Sequence, residues 1–301
     1  MIKEIKGAGI VYGEPLGRHT SLGIGGKAEI FARPESEEAL SALLASGLQL
    51  PVCFLGGGTN LLLPDGDIKA LFISTAALKG IEVLAEGSRP VLSVRAGEPL
   101  KSVLAFCMKR GFGGLEPLAG IPGSFGGAVA GNAGAHGAQM KDFIRRVHVM
   151  DARGGITAVT NERMGFRYRG SCLLDDGVFT KGGGLVIKAE VMLGEGDPAE
   201  IKKMMLENFE LKKKTQPLSE RSAGCVFKNP PGYSAGKLID EAGLKGARVG
   251  GIEVSAVHAN FFINKGDGRA DDFLKLMDKV AREVKERTGV LLEPEIRIFN
   301  F

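Results

Sequence analysis

The sequence predicts an α+β fold, on three observations. Residues 1–75 alternate between strand and helix periodicity, residues 76–200 are strand-rich with a single helix, and residues 201–301 end in a strongly amphipathic helix. In the first stretch a short helix is expected over 37–45, then an apolar strand over 51–55, a glycine turn and a second strand over 70–74. In the second, β-branched runs bounded by Gly, Asp and Asn predict strands over 91–96, 146–151, 155–160 and 185–193, with one helix over 100–109. Asp197-Pro198 starts a further helix that runs toward Lys214. The clearest helix carries Phe273, Met277, Val280 and Val284 at three- and four-residue spacing, with Lys and Glu between them. Asp271 and Asp272 occupy its first turn and Gly289 stops it.

With 301 residues, 44% apolar and 25% charged, the chain has the composition of an ordinary globular protein with more than one core. Its 45 glycines are about twice the usual ~7% share and follow no period, which points to tight turns and close backbone approach to a ligand. The net charge of +4 is spread out, and the one dense run, Lys212-Lys213-Lys214, reads as a solvated helix face. Without Trp, and with three Tyr, no basic stripe is interleaved with stacking residues, so nucleic-acid binding is not expected. A mildly basic chain suits an anionic small substrate. Cys53, Cys107, Cys172 and Cys225 are far apart and form no CxxC pair, so neither a metal site nor a disulfide framework is expected. Residues 1–13 contain no apolar leader core, and no stretch approaches ~18 apolar residues. A cytoplasmic protein with no membrane insertion, working as a monomer or weak oligomer, is the expectation.

Two glycine loops carry the chemical signal. Gly56-Gly57-Gly58-Thr59-Asn60 follows a strand directly and exposes several N–H groups suited to phosphate oxygens, with Thr59 and Asn60 as neutral donors. It is not Gly-x-Gly-x-x-Gly and no long helix follows, which argues against a Rossmann site. The second loop packs seven glycines into the eighteen residues 120–137, including Gly120-Ile121-Pro122-Gly123-Ser124, Gly126-Gly127, Asn132 and Gly134-Ala135. Small residues at this density allow backbone to lie against a large flat group; a buried packing seam is the structural alternative. Phe166-Arg167-Tyr168-Arg169-Gly170-Ser171 is expected as a strand with Arg167 and Arg169 on one face and Tyr168 on the other. Ser222-Ala223-Gly224-Cys225-Val226-Phe227-Lys228-Asn229-Pro230 is a small-residue turn carrying a thiol, which by itself is more often inert buried filler than a reactive group. Leu292-Glu293-Pro294-Glu295-Ile296-Arg297 is expected within a terminal strand over 291–299.

Taken with Thr20-Ser21-Leu22-Gly23-Ile24-Gly25-Gly26 and Gly114-Leu115-Glu116-Pro117-Leu118-Ala119-Gly120, these segments resemble, in order and over nearly the whole chain, the UDP-N-acetylenolpyruvoylglucosamine reductases (UDP-N-acetylmuramate dehydrogenases). The absence of an inserted tyrosine loop resembles that family's second subclass. The resemblance implies a two-lobed FAD-binding module of the vanillyl-alcohol-oxidase type, with lobes at 1–75 and 76–200, followed by an α/β substrate-binding domain at 201–301. It implies non-covalent FAD held by both glycine loops, NADPH as co-substrate, and UDP-N-acetylenolpyruvoylglucosamine as the partner that accepts hydride. Arg169 and Glu295 match the pair that polarises the substrate carboxylate. Tyr168, Lys214, Lys228 and Asn229 match substrate contacts. The proton donor is usually serine and here is Cys225, whose thiol is intrinsically the stronger acid, with an unperturbed pKa of ~8.5. Two other readings stand beside this one: an FAD oxidase or dehydrogenase for another small substrate, in which His136 could be imagined as a covalent flavin anchor, and a non-catalytic flavin or sugar-nucleotide binding paralogue.

Overall fold

The middle of the chain forms a five-stranded antiparallel sheet, in the order Ile156–Thr160, Ile144–Met150, Leu185–Met192, Val91–Arg95, Ile81–Ala85. This is a computed structural model, and it describes residues 5–174 and 184–300. Period-two alternation assigns strand residues to faces, and a β-bulge at Ile187 resets it within Leu185–Met192. In Leu185–Met192, Val186, Ala189 and Val191 point into one core, while Leu185 and Ile187 point into another. Both faces of the strand are thus covered, which fits the three successive apolar residues Leu185-Val186-Ile187 at its start.

The first of these cores is closed by helices α2 (Leu100–Arg110) and α3 (Phe125–Ala130), and the second by α1 (Glu37–Leu44) together with the parallel pair Val52–Leu55 and Asp67–Ser74. Ser36 caps α1 by accepting the Ala39 N–H at 3.2 Å, and α2 stops at Gly111 in the left-handed region, φ +68°. The Val52–Leu55 and Asp67–Ser74 pair belongs to a four-stranded sheet with Lys27–Ala32 and Ile10–Pro15. Neither of the latter strands was expected from the sequence. Lys27–Ala32 does bury Ala28, Ile30 and Ala32 on one face, but six residues with two charges make a weak alternation signal.

By internal contacts the chain divides into two units that are not consecutive in sequence. One comprises Met1–Tyr12, Ile30–Gly57 and Lys69–Glu210, and the other Gly13–Glu29, Gly58–Ile68 and Leu211–Phe301. The second unit has its own core, in which α6 (Ala270–Thr288) lays Phe273, Leu276, Met277, Val280 and Val284 against Phe262, Ile252, Ile239 and Leu22. Helix α5 (Ala235–Glu241) and the three-stranded sheet Arg248–Val249, Ile252–Val254, Phe262–Asn264 complete it. As the sequence predicts, α6 carries Asp271 and Asp272 in its first turn and ends at Gly289, φ +73°. Helix α4 (Pro198–Thr215) starts where Asp197-Pro198 places it, with the Asp197 carboxylate accepting the Ala199 N–H at 2.8 Å.

Candidate active site

Strand Val52–Leu55 runs directly into Gly56 and Gly57, which lie against the second glycine loop. A Cβ at Gly57 would stand 2.6 Å from the Gly123 Cα, and one at Gly56 would collide with Ser124 Oγ. Glycine is required here by backbone packed on backbone. The second loop is braced from behind: Leu100 N–H donates to Gly123 O (3.0 Å), Phe125 N–H to Glu98 O (2.7 Å) and Gly126 N–H to Ala96 O (2.9 Å). Ser124 accepts the Gly127 N–H at 3.3 Å and so starts α3. With these bonds made, the N–H groups of Gly56, Gly57, Gly123 and Ser124 have no protein acceptor among the described residues. Four amide donors on two touching loops form an anion-binding nest of the kind a pyrophosphate requires, so the residues present fit FAD.

Beyond α3 the chain reverses at Asn132, φ +44°, into the hairpin Gly134–Ala135 with Ala138–Gln139. His136 and Gly137 close it with φ +49° and +83°, as a type I′ turn requires. Asn132 was expected among the cofactor contacts, but it is completely buried and its amide is committed to the chain. Its Nδ2 donates to Gln139 Oε1 (2.8 Å) and Arg167 O (2.9 Å), and its Oδ1 accepts the Lys141 N–H (3.0 Å).

The expected strand over 166–171 is instead a tight turn. Arg167 and Gly170 exchange N–H···O bonds of 3.0 and 3.1 Å, and Arg169 takes φ +57°, the left-handed third position of a type II turn. The two arginines therefore do not share a strand face. Gly170 is the reason, since it closes a reversal that a continuing strand would not contain. The guanidinium of Arg169 donates through Nη1 to Gly134 O at 3.0 Å and lies over the Tyr168 ring, 5.2 Å from its centroid. Tyr168 itself is exposed.

In the second unit, Gly58 takes φ +63°, and a Cβ there would collide with the His19 carbonyl oxygen. Its own carbonyl accepts the Ser21 N–H at 3.0 Å. Thr59 is half-buried and Asn60 exposed. Asn60 Nδ2 donates to Glu295 O (3.2 Å) and Asn60 O accepts the Arg297 N–H (3.0 Å), at the head of the parallel pairing of Leu61–Leu62 with Arg297–Ile298. The expected strand over 291–299 is thus reduced to Arg297–Ile298 plus a single bridge at Pro294, because proline has no N–H for a continuous ladder.

The segment that carries Cys225 is held on both sides by backbone. Cys225 bridges to Phe261, Val226 N–H donates to Asn260 O (2.8 Å), and Glu295 N–H donates to Val226 O (2.7 Å). Cys225 and Glu295, both half-buried, therefore belong to one small extended platform. Lys228 bonds through its N–H to Glu293 O (2.8 Å) and through Nζ to the Glu293 carboxylate (3.3 Å). Asn229 Oδ1 accepts the Ala235 N–H at the start of α5 (2.9 Å), and Lys214 is exposed in the last turn of α4.

Three supporting residues had no role assigned from sequence. Asn260 is almost fully buried and clamps Phe227 by accepting its N–H (2.9 Å) and donating to its carbonyl (2.8 Å). A polar residue within the run Ala259-Asn260-Phe261-Phe262-Ile263 was the signal available for it. His258, whose pKa burial lowers below its usual 6.5, accepts the Asn260 N–H through Nδ1 at 3.2 Å. Ser21, in a motif that the sequence reading left without a role, donates to Ser222 O at 2.6 Å. Among the described residues no group of His, Cys, Asp and Glu could hold a metal, and no helix is long and apolar enough to cross a membrane.

Comparison with known proteins agrees with this geometry. Residues 28–160 match an FAD binding domain, and residues 216–299 match the C-terminal domain of UDP-N-acetylenolpyruvoylglucosamine reductase. The reductase of that name from Caldanaerobacter subterraneus subsp. tengcongensis is 40% identical, covering 99% of this chain and 96% of its own length. The one from Lactococcus lactis subsp. cremoris is 40% identical over 97% of this chain and 95% of its own. The crystal structure of the Thermus caldophilus reductase matches 97% of this chain and 99% of its own, with 35% identity and a TM-score of 0.81. Two paired glycine loops, a thiol-and-carboxylate platform and full-length similarity agree, and the chain belongs to the UDP-N-acetylenolpyruvoylglucosamine reductase family.

Proposed function

We propose that the chain reduces UDP-N-acetylenolpyruvoylglucosamine to UDP-N-acetylmuramate with NADPH, in the synthesis of peptidoglycan precursors. The observation that carries this is the FAD-suited amide nest of Gly56, Gly57, Gly123 and Ser124, and within the other unit a backbone-held platform that carries the Cys225 thiol beside the Glu295 segment supports it. Bound FAD supplies the hydride transfer, from NADPH to the terminal carbon of the enolpyruvyl group. The amides of Gly56, Gly57, Gly123 and Ser124 hold the cofactor's pyrophosphate without a covalent bond. Arg169 and Glu295 stabilise the negative charge that develops on the substrate carboxylate and its neighbouring carbon. Cys225 Sγ delivers the proton that completes the reduction, as a general acid. Tyr168, Lys214, Lys228 and Asn229 contact the sugar nucleotide. The enzyme works in the cytoplasm as a monomer or weak oligomer, independent of nucleic acid.

Stopped-flow spectroscopy of the yellow protein tests this reading. Anaerobic NADPH should bleach the flavin band, and UDP-N-acetylenolpyruvoylglucosamine should restore it. Restoration by oxygen alone would favour an oxidase for another substrate, and a colourless protein would remove the flavin assignment.

A further inference from the structure

The turn that presents Arg169 is fastened to the segment leaving the second glycine loop at three points. Asn132 Nδ2 holds its entry at Arg167 O (2.9 Å), Arg169 Nη1 ties its tip to Gly134 O (3.0 Å), and Ser171 Oγ holds its exit at Ala130 O (2.7 Å). Asn132 and Ser171 are both completely buried, with no route to a ligand. Arg169 sits at φ +57°, where non-glycine residues are rare, so its backbone keeps that conformation only under restraint from its neighbours. Asn132 is itself left-handed, at φ +44°, a conformation that asparagine tolerates and that aims its amide back at the turn.

We propose that Asn132 is a positioning residue for the substrate half of the reaction, acting through Arg169 and making no contact with FAD. The proposal rests on the assignment of Arg169 to the substrate carboxylate. A guanidinium must be held in place before charge develops if it is to stabilise that charge, and a misplacement of about 1 Å costs on the order of 10²-fold in rate. Asn132 supplies that restraint from the base of the turn.

The experiment compares Asn132→Asp, which keeps the acceptor for Lys141 N–H and the left-handed backbone, with Asn132→Gly, which keeps only the backbone. Ser171→Ala loosens the same turn from its other end and serves if the Asn132 variants fold poorly. Each is measured for flavin content, for the rate of flavin reduction by NADPH, and for the rate of reoxidation by UDP-N-acetylenolpyruvoylglucosamine, alone and combined with Arg169→Lys. The expected result is full flavin content, unchanged reduction by NADPH, and reoxidation slowed ~10²-fold. In the Arg169→Lys background the further slowing should be less than about twofold, because both changes remove one function. Loss of flavin with normal reoxidation of the remaining holoenzyme would make Asn132 a cofactor contact and overturn the proposal. Slowing that multiplies with that of Arg169→Lys would overturn it as well. Normal reoxidation in Arg169→Lys alone would instead overturn the assignment of Arg169 itself, a result separable from the other two.

Discussion

Arg169 and Cys225 are positioned by opposite means. Arg169 stands at the tip of a two-residue reversal, in a left-handed conformation, and side-chain bonds from Asn132, Arg169 and Ser171 fasten that reversal to residues 130–134. Cys225 stands in extended backbone, and main-chain bonds to 260–261 and 293–296 hold its segment on both sides. A backbone ladder does not read the side chain it carries. A turn held by side chains depends on each of them. This difference predicts that the platform accepts serine or cysteine at 225 alike, and that the arginine turn tolerates far less.

The largest expected effect follows directly. Arg169→Ala should slow flavin reoxidation by UDP-N-acetylenolpyruvoylglucosamine ~10²–10³-fold, the range for loss of one preorganised charge-stabilising donor, while reduction by NADPH continues. Equal slowing of both half-reactions would show that the turn serves the cofactor as well. Next in size is Gly57→Ala, whose Cβ would press within 2.6 Å of the Gly123 backbone. Neither loop can yield by a side-chain rotation, so a loss of about 1–3 kcal/mol in stability and a fall in bound flavin are expected, read by thermal unfolding and by absorbance. Retention of full flavin would mean that the two loops can separate without harm to the nest.

Cys225→Ser probes the tolerant side of the comparison. Turnover should survive, reduced by no more than ~10²-fold, the low end for loss of a general acid. In a Cys172→Ser background, which removes the other half-buried thiol, iodoacetamide should inactivate the enzyme that keeps Cys225 and leave Cys225→Ser active. Burial pushes the thiols of Cys53 and Cys107 up to about 12, so neither competes in the folded protein. A dead Cys225→Ser enzyme would show that the platform does depend on the side chain.

The smallest effect concerns His258, which supports the same platform through Asn260. Burial lowers its pKa, so the folded chain disfavours protonation relative to the unfolded chain. Its contribution is present above the usual value of 6.5 and is lost as pH falls below it, because the unfolded chain then binds more protons. The melting temperature should drop between pH 7.5 and pH 5.5, and His258→Gln should flatten that slope. An unchanged slope would remove His258 from the support of the platform.

Much of the molecule was legible in sequence because its signals are local. The heptad-like spacing of Phe273, Met277, Val280 and Val284 and the acidic first turn define α6 whatever surrounds it. The β-branched run over 185–193 predicted a strand, and the glycine density of 120–137 announced close backbone packing. The type II reversal at Arg169 was not legible as such. Alternating Arg-Tyr-Arg fits a strand equally well, and only the pairing of Arg167 with Gly170 decides between them. Asn260 and Ser21 were missed for a related reason: their bonds reach Phe227 and Ser222 across long stretches of chain.

The sequence by itself determined which elements form and which glycines crowd together, because propensity, periodicity and turn chemistry act over a few residues. It also carried the family's ordered segments. The tertiary structure alone decided what each asparagine of the two loops does. Asn60 and Asn132 both lie in glycine loops and read alike as ligand donors. In the fold one amide turns to Glu295 O and the other to Arg167 O, 235 and 35 residues away in the chain. A polar group's role is set by whichever partner satisfies it on burial, and that partner is chosen by packing across the chain.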